Sequence, residues 1–140
     1  MNLLEKGSQK RKMKVSQIMR KAVITDDTVS VKQAAKMMSS KGIGSLIIVK
    51  DGKIVGIVTE KDIVKNLDKV ESKLSSIMSK KVITIPQDAE VEKAAEIMKN
   101  NRIKRIPVIK DSKLVGLVSI TDVIGHTGNE HIDDGDFFLN

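Results

Sequence analysis

The sequence has no cysteine, no tryptophan and no tyrosine, and its only two phenylalanines, Phe137 and Phe138, stand side by side near the C-terminus. The missing cysteine excludes disulfides and thiolate metal sites. With so few aromatic rings, the core must be built from Ile, Val, Leu, Met and Ala, and a ligand base would meet aliphatic walls. No apolar run approaches the ~18 residues that span a bilayer. Residues Met1 to Lys14 lack the apolar stretch of a signal peptide. These absences lead us to expect a soluble, cytoplasmic protein of one compact domain, with no membrane partner.

Charge is present and unevenly placed. The net charge is +7. Lys6, Lys10, Arg11, Lys12 and Lys14 crowd the start, whereas Glu130, Asp133, Asp134 and Asp136 fill a tail without Lys or Arg. Such a balance suits an anionic partner, either nucleic acid or a phosphorylated small molecule. A lysine-rich solvated surface has the same composition.

The chain repeats itself. Residues 31–64 and 91–124 align without a gap, and 12 of those 34 positions are identical, among them Ala34/Ala94, Met38/Met98, Gly56/Gly116 and Asp62/Asp122. Upstream, Ile18-Met19 matches Ile77-Met78 and Ile24-Thr25 matches Ile83-Thr84, with one residue gained before the main alignment. A unit of roughly 50 residues is too small to bury a good core alone, so the two copies are expected to pack together.

Each copy reads strand, helix, strand, strand, helix. The first strands are expected at Ala22 to Thr25 and Val82 to Ile85. Val31, Ala34, Ala35 and Met38 form a helical stripe that Val91, Ala94, Ala95 and Met98 repeat. Ser30 and Gln33 form a capping box, and Glu90 with Lys93 a weaker cap. Gly42 and Asn100–Asn101 are read as helix stops. Asp51-Gly52 between apolar runs signals a hairpin, and Asp111-Ser112 is a poorer version of that turn. The continuous apolar runs beside these turns point to strands buried on both faces.

Both copies end in one string: Gly56-Ile57-Val58-Thr59-Glu60-Lys61-Asp62 and Gly116-Leu117-Val118-Ser119-Ile120-Thr121-Asp122. A hydroxyl followed three residues later by an acid is a helix capping box. The same residues also suit a ligand. A helix start favours phosphate, and an aspartate there can accept hydrogen bonds from a ribose diol.

With Gly42 to Val49 and Arg105-Ile106-Pro107-Val108, these strings make residues 13–124 resemble tandem CBS domains, the pair called a Bateman module. The resemblance implies an α/β (α+β) fold: two βαββα repeats about a pseudo-two-fold axis, with two clefts between them for AMP, ADP, ATP or S-adenosylmethionine. It divides the chain into a basic arm (1–12), repeat 1 (13–66), a linker (67–73), repeat 2 (74–124) and an acidic flexible tail (125–140). By motif match, Asp62 and Asp122 would hold ribose hydroxyls, and Thr59, Ser119 and Thr121 would reach phosphate or ribose. Residues around Thr25 and Thr84 would meet the base, walled by Ile47 and Pro107. Lys104-Arg105 replaces Gly44-Ser45, and Thr121 replaces Lys61. A basic pair suits phosphate, so unequal affinities are expected.

Other candidates are His126 and His131 with the tail aspartates as a metal site, and the basic arm as a nucleic-acid contact. The tail reads more readily as a mobile polar segment, and the arm as solvated. No nucleophile and base share a string, so no enzyme is expected. The expectation is a stand-alone regulatory module that needs no cofactor, takes an adenosyl ligand, forms a homodimer and signals to a separate effector protein. The alternatives are a nucleic-acid-binding protein and a structural subunit with empty clefts.

Overall fold

The structure, a computed structural model, describes residues 12–126. Most of the basic arm, His131, the tail aspartates and Phe137–Leu139 lie outside the described residues. The chain has a mixed α+β architecture with two three-stranded sheets. Its elements are β1 (Ile24–Thr25), α1 (Val31–Lys41), β2 (Ser45–Lys50), β3 (Lys53–Thr59) and α2 (Glu60–Lys65), then β4 (Ile85–Pro86), α3 (Val91–Asn101), β5 (Arg105–Lys110), β6 (Lys113–Ser119) and α4 (Ile120–His126). Short 3-10 turns cover Val15–Gln17, Leu67–Lys69 and Leu74–Ser76. No helix among the described residues is long and apolar enough to cross a membrane.

Two compact units result, and they do not coincide with the contiguous copies. Among the described residues, the first-repeat unit runs from Ala22 to Ile83, and the second-repeat unit joins those up to Lys21 with those from Thr84 on. In the first-repeat unit β1 pairs with β2 in parallel and β2 with β3 antiparallel. Ser79 adds a two-bond bridge to the free edge of β3, through its N–H to the Ile57 carbonyl (2.9 Å) and the reverse bond (3.0 Å). In the second-repeat unit Arg20 makes the same bridge to Leu117, with both bonds at 2.8 Å. Each edge of the glycine strand is thereby closed by the segment written ahead of the other copy.

The glycines of the strings belong to this closure. A Cβ on Gly56 would lie 2.4 Å from Met78 Sδ, and one on Gly116 would lie 2.7 Å from Met19 Sδ and 3.0 Å from the Arg20 carbonyl oxygen. The repeated Ile-Met pair and the repeated glycine are therefore packing partners within each unit. Val31, Ala34 and Met38 of α1 cover Leu46, Ile48, Val58 and Leu74. In the second-repeat unit Val91, Ala94, Ala95 and Met98 of α3 lie with Val15, Ile85, Ile106, Val108, Val118, Ile120 and Val123.

Local signals hold with some corrections. The Ser30 hydroxyl accepts the Gln33 N–H at 3.1 Å and Gln33 Oε1 accepts the Ser30 N–H at 2.9 Å, whereas Glu90 makes no side-chain cap. Both hairpin turns use left-handed residues, Asp51 (φ 52°) and Gly52 (φ 77°), then Asp111 (φ 50°) and Ser112 (φ 64°). Helix α3 ends at Asn101, and the left-handed turn after it falls on Arg102 (φ 52°), where α1 uses Gly42. Strands β2 and β5 are buried over most of their length, but β3 and β6 alternate because only one of their faces meets the core. The first strands are shorter than expected, and β4 ends on Pro86, which an edge strand tolerates because no ladder bond needs its missing N–H.

Candidate functional site

The two hydroxyl-to-aspartate strings fold as capping boxes at the starts of α2 and α4. In the first-repeat unit Asp62 Oδ2 accepts the Thr59 N–H (2.9 Å) and hydroxyl (3.2 Å). The Glu60 N–H donates to the Gly44 carbonyl at 3.2 Å. In the second-repeat unit Asp122 Oδ2 accepts the Ser119 N–H (3.2 Å) and hydroxyl (2.7 Å), and the Ile120 N–H donates to the Lys104 carbonyl at 2.8 Å. The helix starts thus spend backbone donors on the chain's own groups, so the side chains, more than open amide groups, are what a ligand would meet.

Beyond the caps the two carboxylates diverge. Asp122 is 5% exposed, and its Oδ1 accepts a 2.8 Å bond from Arg20 Nε, whose side chain is 77% exposed. Asp62 is half-buried and has no basic partner among the described residues. Ser79 holds the position of Arg20 in that unit. Arg20 is the residue that motif reasoning missed. It directly follows the repeated Ile-Met pair, where the second copy has Ser79, but nothing in the string itself points to it.

The ladders bring several expected residues to these carboxylates. Ser45, buried at the start of β2, stands opposite Thr59, and Arg105, half-buried at the start of β5, stands opposite Ser119. Ser119 and Thr121 share a 2.9 Å hydroxyl contact. Lys61, Lys104 and Thr121 are exposed at the rims. Ile47 and Pro107 are buried on the strand face opposite Leu46/Ile48 and Ile106/Val108, outside the core clusters of their units. Both side chains take the face opposite the core, as an alternating strand requires, and Ile47 is 1% exposed.

Thr25 and Thr84 are not equivalent to each other. Thr25 pairs with Ile48, and the residue opposite the matching Val108 is Ile85, so Thr84 stands where Ile24 stands. The extra residue of the second copy falls between Ser79 and Thr84, and a one-residue shift reverses which face a side chain takes. Neither threonine makes a side-chain hydrogen bond to the strings among the described residues. Next to Thr25, the Asp26 carboxyl is held below its usual range by hydrogen bonds from the Thr28 hydroxyl and backbone N–H. Among the described residues no group of three His, Asp or Glu side chains could hold a metal ion. The His126 Nδ1 contacts the Asp122 carbonyl at 2.9 Å.

Residues 15–69 and 74–128 match the CBS domain family. A mitochondrial CBS domain-containing protein of Arabidopsis thaliana, CBSX3, is 38% identical over 120 residues, which cover 79% of this chain and 57% of that protein. An inosine-5'-monophosphate dehydrogenase of Thermoplasma acidophilum is 38% identical over 95 residues, only 19% of its length. Among solved structures, the CBS domain pair of protein MJ0100 in complex with 5'-methylthioadenosine and S-adenosylmethionine superposes with a TM-score of 0.78 at 32% identity. That match covers 85% of this chain and 98% of the pair.

Proposed function

The chain belongs to the CBS domain family, and from that premise we propose that it is a regulatory module sensing an adenosyl compound, AMP, ADP, ATP or S-adenosylmethionine, at its two glycine-to-aspartate strings. The observation that carries this reading is the duplicated carboxylate. Asp62 and Asp122 occupy the same position in both units, each beside a hydroxyl and an aliphatic strand face. The likeness to a pair described with two adenosyl ligands supports it.

In this reading Asp62 keeps its cap through Oδ2 and offers Oδ1 to a ribose hydroxyl. Asp122 does the same once Arg20 gives way. Thr59, Ser119 and Thr121 supply hydroxyls, Ser45 leaves room, and Arg105, Lys104 and Lys61 supply positive charge. Ile47 and Pro107 wall the base, which Thr25 and Thr84 approach through their backbone. No catalysis and no resident cofactor are involved. Ligand binding shifts a conformational or oligomeric equilibrium by as much as it prefers one state. The module acts as a homodimer on a separate effector protein in the cytoplasm.

The test is a thermal-shift panel of AMP, ADP, ATP, GTP, NAD and S-adenosylmethionine, followed by calorimetry. A ligand that binds only the native state raises its melting temperature by mass action. Asp62→Ala and Asp122→Ala should each weaken the hit at that string by roughly 1.5–3 kcal/mol, the scale of a charge-assisted hydrogen bond. Unchanged affinity in both variants removes the ribose role. The competing nucleic-acid reading requires binding that collapses steeply with salt.

A further inference from the structure

We propose that Arg20 makes the Asp122 string selective for a phosphorylated ribonucleoside, while the Asp62 string takes an uncharged or cationic adenosyl compound. The inference rests on the ligand reading above and adds to it what decides the ligand's charge at each string.

The two units carry opposite charge around equivalent carboxylates. In the second-repeat unit Arg20 flanks the string from one side, through its bridge to Leu117 and its ion pair with Asp122. Arg105 flanks it from the other, opposite Ser119 on the ladder, with no ion pair among the described residues. Two arginines, Arg20 in contact with Asp122 and Arg105 set opposite Ser119 by the ladder, therefore stand against one carboxylate. In the first-repeat unit the same two positions are Ser79 and Ser45, and among the described residues Asp62 has no guanidinium beside it.

The geometry of the Arg20 contact also matters. It is made through Nε alone at 2.8 Å, and the side chain is 77% exposed. The terminal nitrogens of the fork have no partner among the described residues. A diol arriving at Asp122 Oδ1 competes with Nε for that oxygen. If the ligand carries a phosphate, Arg20 exchanges a carboxylate for a phosphate and loses no pairing, because the planar fork suits both. If the ligand is a bare nucleoside, the ion pair breaks without replacement. At Asp62 no such exchange is needed: Glu60 and Lys61 of the string offset each other, and the carboxylate that is left favours a neutral or positive ligand.

Calorimetry on the full chain with AMP and with adenosine tests this. In Arg20→Ser, which copies the first-repeat unit, AMP affinity at the Asp122 string should fall by about tenfold or more, the lower end for a charge-assisted bond. Adenosine affinity should hold or rise, because Asp122 has been released. Ser79→Arg should shift the Asp62 string towards AMP, and this gain decides the matter if Arg20→Ser is unstable. Equal losses for AMP and adenosine in Arg20→Ser, or no shift in Ser79→Arg, overturn the proposal and leave the ligand reading standing. If the wild-type protein binds neither AMP nor adenosine, and Asp62→Ala and Asp122→Ala alter no ligand's affinity, the ligand reading itself fails and this inference fails with it.

Discussion

The glycine in each string is a packing requirement, and Gly56→Ala puts that to a quantitative test. The three atoms nearest to a Cβ at this position all belong to Met78: Sδ at 2.4 Å, Cγ at 2.8 Å and Cβ at 3.2 Å. The side chain cannot overlap these positions, so Met78 must leave its rotamer or the bridge from Ser79 must shift. Overpacking of this kind costs about 1–3 kcal/mol. Met78→Ala alone removes a half-buried side chain and should cost about 1–2 kcal/mol, below the range for a fully buried methionine. If the methionine is the whole obstacle, the double variant should be no less stable than Met78→Ala, giving a coupling of about 1–3 kcal/mol.

The sister pair should behave differently. A Cβ on Gly116 would meet Met19 Sδ at 2.7 Å but also the Arg20 carbonyl oxygen at 3.0 Å. That oxygen accepts the Leu117 N–H at 2.8 Å and cannot retreat without stretching the bond. Met19→Ala should therefore rescue Gly116→Ala only in part. Urea unfolding followed by far-UV circular dichroism is the assay, since the chain has no tryptophan or tyrosine to report by fluorescence. Additive losses within about 0.5 kcal/mol in the Gly56/Met78 cycle would refute the reasoning.

Two further changes probe local conformation. Ser112 holds φ 64° where the other hairpin has Gly52, so Ser112→Gly should stabilise the protein by about 0.5–1 kcal/mol, read as a higher urea midpoint with unchanged slope. Loss of stability would mean that the serine side chain has a role that the turn does not reveal. Glu90→Ser should supply the missing side-chain cap of α3 and raise stability by about 0.5–1 kcal/mol, despite losing the exposed 3.7 Å pair with Lys12. A lower midpoint would show that pair to matter more than the cap.

Much of this fold was legible because its signals are local. The stripe Val31-Ala34-Ala35-Met38, the Ser30/Gln33 box and the Asp-Gly turn each involve residues within a few positions of one another. The strings were legible for the same reason, and their repetition in register marked them out. What was illegible depends on contacts between distant residues. Nothing near Met19 says that its partner is Gly116, nor that Arg20 reaches Asp122. The one-residue offset of Thr84 was hidden because Ile-Thr occurs at both Ile24-Thr25 and Ile83-Thr84, so identity aligned the pairs where strand register does not. Arg102 escaped notice because a left-handed helix end is expected of glycine or asparagine, which α1 supplies with Gly42 and α3 does not.

The crossing of leading segments has a consequence for how this protein can be divided. The stretch from Ala22 to Ile83 carries its own finishing ribbon, with Met78 and Ser79 in place. A cut at the border suggested by the repeat, between residues 66 and 74, would instead leave Gly56 and the edge of β3 bare. A lone copy cut that way keeps the Met19 ribbon, which in the whole protein closes β6, and lacks the Met78 ribbon that closes its own β3. Duplication in a single polypeptide thus ties the integrity of each half to a segment written ahead of its twin.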